Sequence, residues 1–566
     1  MMASNTSVPP KSAVSQALAF LSFLGFAVVL MGFRWLESLD AVTCFILLAV
    51  ALALPHIWQA TATEGSNPTP DPNAGRTLDR NLRKLAGLAA IYGAIALAYF
   101  AFQGYYESQV RPLWEIFERV WMPWLVLTPI YVWLTDRLMD DPHDGLYQVG
   151  LAVTGLHKLV QWPQAQQYLL GWCVKGFFIP LMTGFALKDI QWFLSADILA
   201  ELQSPGGYYF FANRFIFFID VVFASVGYLC ALRLIGSHIR STEPTVLGWL
   251  VCLICYEPFW APISRNFFAY EEGFYWDNWL AGHPIAWVFW SFSILLCLVV
   301  YVWASITFGV SFSNLTNRGI LTNGPYRWLK HPHYVSKNIS WWLISVPFLT
   351  NQSPEVAVRN CLLLAGVNVI YFLRAKTEER HLSKDPAYVE YSNWIESNGL
   401  YAMLRRGVQH FLQKKLGRSR TLRPRAVITA AIDIEPIQYL MFVTAVTAVT
   451  AVTTVAAAAA AAVTVPRITS IAASATLAIT FVTIAKAIVV LGTGDGGLSF
   501  ILGAAVSLTV GAVFDFCGRC AGSAGRIGSP VQFQVIPKRL FRTLLQGHCT
   551  SALSLVEAAC GALVKV

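Results

Sequence analysis

Apolar runs about as long as a bilayer is thick recur along this chain, and they restrict its fold more than any other feature. A helix of about 20 residues crosses the hydrocarbon core of a membrane and satisfies its backbone hydrogen bonds internally. Of the 566 residues, 56% are hydrophobic and only 13% are charged, whereas about a quarter are charged in an average soluble domain. The sequence therefore predicts an all-α fold, a polytopic transmembrane helix bundle with about ten core spans. The candidate spans are residues 16–34, 41–58, 85–102, 120–134, 169–187, 215–232, 246–260, 285–308, 332–349 and 356–373.

The charge of the loops between these spans chooses between the two possible orientations. The loops 59–84 and 233–245 and the segment 405–425 are basic, whereas the segment 261–284 is acidic. Because cytoplasmic loops collect Lys and Arg, the sequence predicts a multi-pass integral membrane protein whose N-terminus is cytoplasmic. The same rule explains the net charge of +9 by loop placement, so no nucleic-acid partner is expected.

Composition divides the chain into three regions. Residues 1–284 form an N-terminal multi-span membrane region, residues 285–425 carry the polar motifs, and residues 426–566 are a low-complexity apolar extension. The extension contains "TAVTAVTAVTTVAAAAAAAV" and no chemical motif. It either adds further helices or plays no part in function.

The eleven cysteines do not form a metal-ligand pattern. Cys252–Cys255 and Cys517–Cys520 have CxxC spacing, but neither pair is followed by a second pair or by two nearby histidines. No metal site is predicted, and packed thiols are the expected role.

A polar motif, "GPYRWLKHPHY", directly precedes the predicted span 332–349. Pro332 suits the first turn of a helix, and the segment "TNQSPE" then predicts a turn before the returning span 356–373. Two antiparallel spans of similar length place their free ends at one membrane face. We therefore expect His331 to lie near the Glu378–Glu379 pair at the cytoplasmic side.

The residue types at this face suit a zwitterionic cofactor with an aromatic group. A helix N-terminus beside Lys330 favours a carboxylate, and Glu378 and Glu379 favour an ammonium group. Aromatic rings nearby suit an adenine or a sulfonium cation; they belong to Tyr326, Trp328 and Tyr334. S-adenosylmethionine carries all of these groups.

The motif followed by "RAKTEERHLSKDPAYVEY" resembles the paired signature of the isoprenylcysteine carboxyl methyltransferase and phospholipid methyltransferase superfamily, over roughly residues 285–400. The resemblance implies that His331, Tyr334 and Glu378–Glu379 line the cofactor pocket and that Arg374 lies near the methyl acceptor. The chain departs from the family in Lys330, where Arg is usual, and in Ser336–Lys337, where Gly is common.

The expectation from these features is an S-adenosylmethionine-dependent methyltransferase that takes a lipid-like or prenylated acceptor from the bilayer. Arg374 and Glu379 are the candidate catalytic residues, and the cofactor-binding candidates are Tyr326, Lys330, His331, Tyr334, Glu378 and Glu379. For a carboxylate acceptor Arg374 would orient the carboxylate and no base is needed. A lipid amine would need a base, either a glutamate or His331.

Two alternatives remain at this point. Membrane sterol reductases end in a similar "GPYRW" segment and bind NADPH, and a transporter or membrane scaffold would explain the many upstream spans. Asp220 and Lys175 lie inside apolar runs, where ionisable groups are costly and often functional; they could pair with each other. Arg374 and Glu378 could form an ordinary ion pair between residues four apart on a helix.

Overall fold

Helices make up nearly all of the secondary structure in the computed structural model, which describes residues 8–33, 39–63, 74–271 and 273–407. The α-helices are α1 (Gln16–Phe33), α2 (Ala41–Thr63), α3 (Ala74–Ala101), α4 (Gln103–Tyr105), α5 (Arg111–Leu138), α6 (Gly145–Val153), α7 (Trp162–Ser195), α8 (Ile198–Glu201), α9 (Pro205–Leu229), α10 (Val246–Leu253), α11 (Trp260–Phe267), α12 (Trp276–Trp279), α13 (Pro284–Phe308), α14 (Pro332–Ser345), α15 (Pro354–Leu382) and α16 (Pro386–Asn398). Shorter helical turns are the π-turn Tyr106–Val110 and the 3-10 turns His157–Leu159, Arg233–Ile235, Gly309–Ser311 and Gly324–Arg327.

The all-α polytopic prediction is confirmed, but the count of ten spans is not. Within the described ranges, seven helices are long and apolar enough to cross a membrane. They are Gln16–Phe33, Ala41–Ala60, Thr77–Ala101, Trp162–Ser195, Pro205–Leu229, Pro284–Ser311 and Pro354–Leu382.

The other three predicted spans have different geometries. Residues 120–134 lie within α5, which also contains Pro123 and Pro129. The prediction of one helix over 246–260 is wrong, because α10 ends at Leu253 after 8 residues and α11 begins at Trp260. The predicted span 332–349 ends early, because α14 stops at Ser345.

The hairpin that carries the motif is asymmetric. The expectation of two spans of similar length is wrong: α14 has 14 residues and α15 has 29. α14 ends where Val346 takes a positive φ of 37°, a conformation that a β-branched residue rarely adopts. α15 continues past the predicted end at residue 373 to Leu382, so both glutamates lie on helical backbone rather than in a loop.

One end of the bundle is organised around Arg318, a buried arginine. Its guanidinium donates at 2.7–3.2 Å to the carbonyls of Gly227 and Cys230 at the C-terminal end of α9, and to those of Val310 and Phe312 just after α13. These carbonyls have no intrahelical partner at a helix end, so Arg318 satisfies two helix ends at once.

The same end of the bundle gathers several distant segments of the chain. The strands β1 (Ser241–Thr242) and β2 (Thr316–Asn317) pair antiparallel, with Ser241 opposite Asn317. His381, near the end of α15, contacts Ser241 at 3.2 Å between Nε2 and Oγ. The backbone N–H of Ala13 donates to the carbonyl of Ile320. The N-terminal segment, the motif loop and the end of α15 therefore lie together.

The start of α3 corrects a detail of the predicted loop 59–84. Arg80 and Lys84 lie on α3 rather than in a loop, because the helix begins at Ala74. Both form ion pairs with buried Asp136, at 2.5 Å and 2.8 Å. These charges therefore join α3 to α5.

Candidate cofactor and acceptor site

The predicted proximity of His331 and the glutamate pair is confirmed. His331 Nε2 lies 3.1 Å from Glu379 Oε1, and the Tyr334 hydroxyl donates to Glu378 Oε2 at 2.9 Å. The His331 and Tyr334 rings stack with their centroids 5.5 Å apart and 5° between their planes. Residues 44–48 positions apart in the chain thus form one cluster at the start of α14 and the end of α15.

Local sequence explains how α14 presents this cluster. Pro332 occupies the first helical turn, where its missing N–H costs nothing. His331 is the N-cap residue, but its side chain makes no cap hydrogen bond and contacts Glu379 instead. The first turn of α14 therefore keeps the positive end of the helix dipole without a side-chain cap.

The two glutamates have different surroundings. Glu379 is 17% exposed and lies between His331 and Lys376, whose Nζ is 3.3 Å from Glu379 Oε2. Glu378 is 41% exposed, and its Oε1 makes no hydrogen bond within the described part of the chain. Glu378 has more free acceptor capacity than its neighbour.

Two other predicted cofactor residues make contacts of a different kind. Lys330 Nζ donates to Ser392 Oγ at 2.9 Å and to Glu396 Oε1 at 2.7 Å, which ties the motif to α16. Tyr326 is buried and packs edge-on against Phe308, with the ring centroids 5.6 Å apart. Both side chains contact other residues of the chain, and their roles in cofactor binding stay predictions.

Arg374 lies on α15 and is only 6% exposed. Its Nη2 donates to Asn314 Oδ1 at 2.5 Å and to the Tyr256 hydroxyl at 3.2 Å. No carboxylate pairs with this guanidinium in the described part of the chain, so the alternative of an Arg374–Glu378 ion pair is wrong. The Nε and Nη1 donors have no hydrogen-bond partner there either.

Three tyrosine rings surround the Arg374 guanidinium. Its central carbon lies 5.3, 5.1 and 5.8 Å from the ring centroids of Tyr256, Tyr334 and Tyr371, respectively. Because a guanidinium is attracted to the face of an aromatic ring, this cage holds the cation without neutralising its charge.

Asn314 and Tyr256 are residues that sequence reasoning missed. The Asn314 amide nitrogen donates to the hydroxyls of Tyr228 and Tyr256, at 2.7 and 3.0 Å, which turns its oxygen toward Arg374. Tyr256 lies between α10 and α11, outside both motif segments. No local pattern marks either residue, because their role depends on contacts across the bundle.

Asp220 joins α9 to α13. A buried carboxylate in an apolar span needs polar partners, and α13 supplies them. It accepts hydrogen bonds from the Tyr301 hydroxyl, at 2.6 Å, and from the Ser305 hydroxyl. The suggested Asp220–Lys175 pair is wrong: Lys175 Nζ lies over the Trp172 ring at 4.5 Å and near the Ala231 carbonyl at 3.5 Å.

The site therefore offers two kinds of subsite on one hairpin. Exposed carboxylate oxygens, an uncapped helix start and a stacked His331–Tyr334 pair lie at the helix ends. One helical turn deeper, Arg374 presents unused donors inside an aromatic cage. The first set suits a zwitterionic aromatic ligand and the second suits an anion.

Residues 285–384 match the family model of the isoprenylcysteine carboxyl methyltransferase (ICMT) family. The matched segment spans α13, α14 and α15, including Asn314 and Arg374. No curated protein and no solved structure matches the chain. The resemblance of the motif segments to this superfamily is confirmed, and together with the seven apolar helices it supports a multi-pass membrane methyltransferase.

Proposed function

We propose that this chain transfers a methyl group from S-adenosylmethionine to a carboxylate on a lipophilic acceptor of the isoprenylcysteine type. The observation that carries the proposal is the state of Arg374: it is buried, caged by tyrosines and unpaired with any carboxylate among the described residues, one turn from the His331–Glu379 cluster. A buried cation of this kind has a high cost unless an anion joins it.

The cluster at the helix ends fits the cofactor. Glu378, with a free carboxylate oxygen, would bind the ammonium group, and the uncapped first turn of α14 would bind the carboxylate. The stacked rings of His331 and Tyr334 provide an aromatic surface for the adenine. When bound, the cofactor supplies an electrophilic methyl group next to this surface.

Arg374 would hold the acceptor carboxylate. A guanidinium with Nε and Nη1 free can donate to a carboxylate in a fixed planar geometry. A carboxylate is already a nucleophile, so the residues need only align it and exclude water, and no general base is required. Three tyrosine rings around the guanidinium would reduce the access of water to this position.

The site is proposed to face the cytoplasm, with the acceptor entering from the bilayer. The N-terminal segment 8–15 lies at the same end of the bundle as the motif, through the Ala13–Ile320 hydrogen bond. The basic loop 233–245 is also at that end, since Ser241 contacts His381. Basic loops favour the cytoplasmic side.

A titration with two ligands tests this function. The purified full chain in detergent is titrated with S-adenosylhomocysteine and, separately, with NADPH. Saturable binding of S-adenosylhomocysteine, with no binding of NADPH, is expected. Transfer of a labelled methyl group to N-acetyl-S-farnesylcysteine, but not to its primary amide, then tests the acceptor chemistry.

Each result has a defined consequence. Binding of NADPH instead would favour a reductase, and binding of neither ligand would favour a transporter or scaffold. Methylation of a lipid amine, with the carboxylate left unmodified, would reject the acceptor assignment and retain the cofactor assignment.

A further inference from the structure

A second cation, Lys337, is half-buried on α14 one helical turn beyond His333. Its Nζ lies over two aromatic rings, 5.5 Å from the centroid of Tyr301 and 5.4 Å from that of Trp341. Nζ makes no hydrogen bond or ion pair with any residue in the described ranges. All three of its donors are therefore unused there.

The carboxylate that could pair with Lys337 is that of Asp220, and it already accepts hydrogen bonds from other residues. Asp220 interacts electrostatically with Lys337 but accepts its hydrogen bonds from Tyr301 and Ser305, one on each oxygen. Two hydroxyl donors fix the orientation of this carboxylate. Asp220 therefore balances the charge of Lys337 without binding its ammonium group.

Lys337 and Arg374 belong to the same region of the bundle. Lys337 interacts electrostatically with Arg374 as well as with Asp220. A chain of ring contacts also joins them: Trp341 packs on Tyr371 with centroids 5.1 Å apart, and Tyr371 packs beside Arg374. Trp341 and Tyr371 therefore connect Lys337 on α14 to Arg374 on α15.

The charges of Arg374, Lys337 and Asp220 do not balance. Arg374 and Lys337 carry two positive charges, and Asp220 carries one negative charge. One positive charge is left over among apolar and aromatic groups, where an unpaired charge is costly. A ligand with a single negative charge would neutralise it, whereas a dianionic phosphate would leave a net negative charge.

We propose that Lys337 is the second cation of the acceptor site and that, with Arg374, it selects lipophilic molecules that carry a carboxylate. This inference rests on the proposed function and adds Lys337 as a residue that determines its specificity for a carboxylate. Arg374 holds the carboxylate in a planar geometry, and Lys337 contributes a mobile point charge on the opposite helix of the hairpin.

The chemical step is consistent with this arrangement. A bond forms between the methyl carbon and a carboxylate oxygen, the bond from that carbon to sulfur breaks, and its electron pair stays on sulfur. The products are a neutral methyl ester and a thioether, and no proton moves. The ester has no charge for Lys337 and Arg374 to hold, so it binds more weakly than the acid.

The experiment compares acids with their neutral amides on the full chain in detergent, saturated with S-adenosylhomocysteine. The probes are N-acetyl-S-farnesylcysteine and oleic acid, each with its primary amide, and farnesyl phosphate as a dianion. The variants are Lys337→Met and Asp220→Asn. Lys188→Met, at an exposed lysine on α7, is the matched control.

The wild type is expected to bind at least one acid about tenfold or more tightly than its amide, and more tightly than the phosphate. Lys337→Met should weaken that acid about 10- to 100-fold, as expected for a hydrogen bond to a charged group, with little effect on the amide. Lys188→Met should change neither affinity. Asp220→Asn, which removes the balancing charge, should bind the acid as tightly as the wild type or more tightly.

Four results would overturn the inference: equal affinity of the wild type for acids and amides, tighter binding of the phosphate, an unchanged acid preference in Lys337→Met, or loss of that preference in Asp220→Asn. The last result would make Lys337 a structural partner of Asp220. Lys337→Gln replaces Lys337→Met if the methionine variant does not fold. S-adenosylhomocysteine affinity is measured for every variant, so failure of the wild type to bind it rejects the proposed function separately.

Discussion

Glu378 and Glu379 are adjacent in the chain, yet their contacts assign them different tasks. Glu379 is held between His331 and Lys376 and is 17% exposed. Glu378 accepts from Tyr334 and is 41% exposed. Successive residues on a helix point about 100° apart, so the two carboxylates contact different side chains at the start of α14, and Glu378 keeps the larger exposed fraction.

We expect Glu378→Gln and Glu379→Gln to differ in their effect on stability. Both should weaken S-adenosylhomocysteine binding, and Glu378→Gln should do so by about 1.5–3 kcal/mol, because an ammonium group loses a charged partner. Glu379→Gln should also lower the melting temperature, because His331 and Lys376 lose their charged partner. Binding is measured by titration, and melting by thermal unfolding in detergent.

Glu355→Gln is the matched control for this pair, because Glu355 is exposed on the first turn of the same helix. It should change neither quantity. If both site variants bind S-adenosylhomocysteine as the wild type does, the glutamates have only the role of charged surface groups.

At the scale of elements, polar side chains hold α14 and α15 together. Trp342 Nε1 donates to Asn368 Oδ1 at 2.7 Å, and the Asn368 amide nitrogen donates to Asn338 Oδ1. Asn338 in turn donates to the Tyr334 carbonyl at 2.8 Å. In a membrane, where helices gain no hydrophobic energy by packing together, such bonds fix their relative position.

Asn368→Leu should destabilise this hairpin by about 1–3 kcal/mol, because Trp342 and Asn338 lose their partners inside the bundle. S-adenosylhomocysteine should also bind more weakly, since Tyr334 and Glu378 depend on the alignment of the two helices. Val369→Leu, at a neighbouring position that is 54% exposed, controls for the added leucine. An Asn368→Leu protein that melts and binds as the control does would show that these bonds do not set the alignment.

A second contact between elements is the guanidinium of Arg318, which satisfies the ends of α9 and α13. Burial lowers the pKa of Arg318 to about 10, yet the group stays charged at neutral pH and stabilises the helix C-termini. Its fork geometry lets one side chain reach carbonyls from two helices, which a lysine cannot do.

Arg318→Met should be among the most destabilising single changes, because each carbonyl left unpaired in the interior costs about 1–3 kcal/mol. The melting temperature of Arg318→Lys should lie between those of Arg318→Met and the wild type, since lysine keeps the charge but lacks the forked guanidinium donors. Arg240→Met, at an exposed arginine in the adjacent loop, should be nearly neutral. Equal melting temperatures for Arg318→Met and Arg240→Met would contradict this role.

At the scale of the whole molecule, the contacts given above for the candidate site come from the described residues before position 400. The chain divides into units at Leu404 and Arg405, and the predicted extension 426–566 lies outside the described residues. Every partner of His331, Arg374 and Lys330 described above precedes residue 400. The boundary at residue 425 stays a prediction.

A chain shortened to residues 1–425 is expected to bind S-adenosylhomocysteine with the affinity of the full-length protein. The low-complexity extension offers no charged ligand group and no patterned face that could complete the site. Both proteins are titrated side by side in detergent after thermal unfolding has shown that the shorter chain is folded. A folded truncation that no longer binds would place part of the site after residue 425.

The sequence alone determined the class of the protein and which two segments meet. Its apolar runs require helices, because backbone groups in a bilayer must bond within their own segment, and a turn between two runs must return the chain to the same face. The contact of His331 with Glu379 confirms that return, although α14 and α15 differ in length. The family match also follows from the sequence alone, because the motif is defined by particular residue types at fixed spacing.

Only the tertiary structure decided what surrounds each charge. Arg374 contacts Tyr256 and Asn314, and Asp220 contacts Tyr301 and Ser305, from segments that share no pattern with it. Lys330 binds α16, whereas Lys337 lies over two aromatic rings and has no hydrogen-bond or ion-pair partner among the described residues. A charge in an apolar interior is governed by the few groups within hydrogen-bonding distance, and which groups those are depends on how the helices pack.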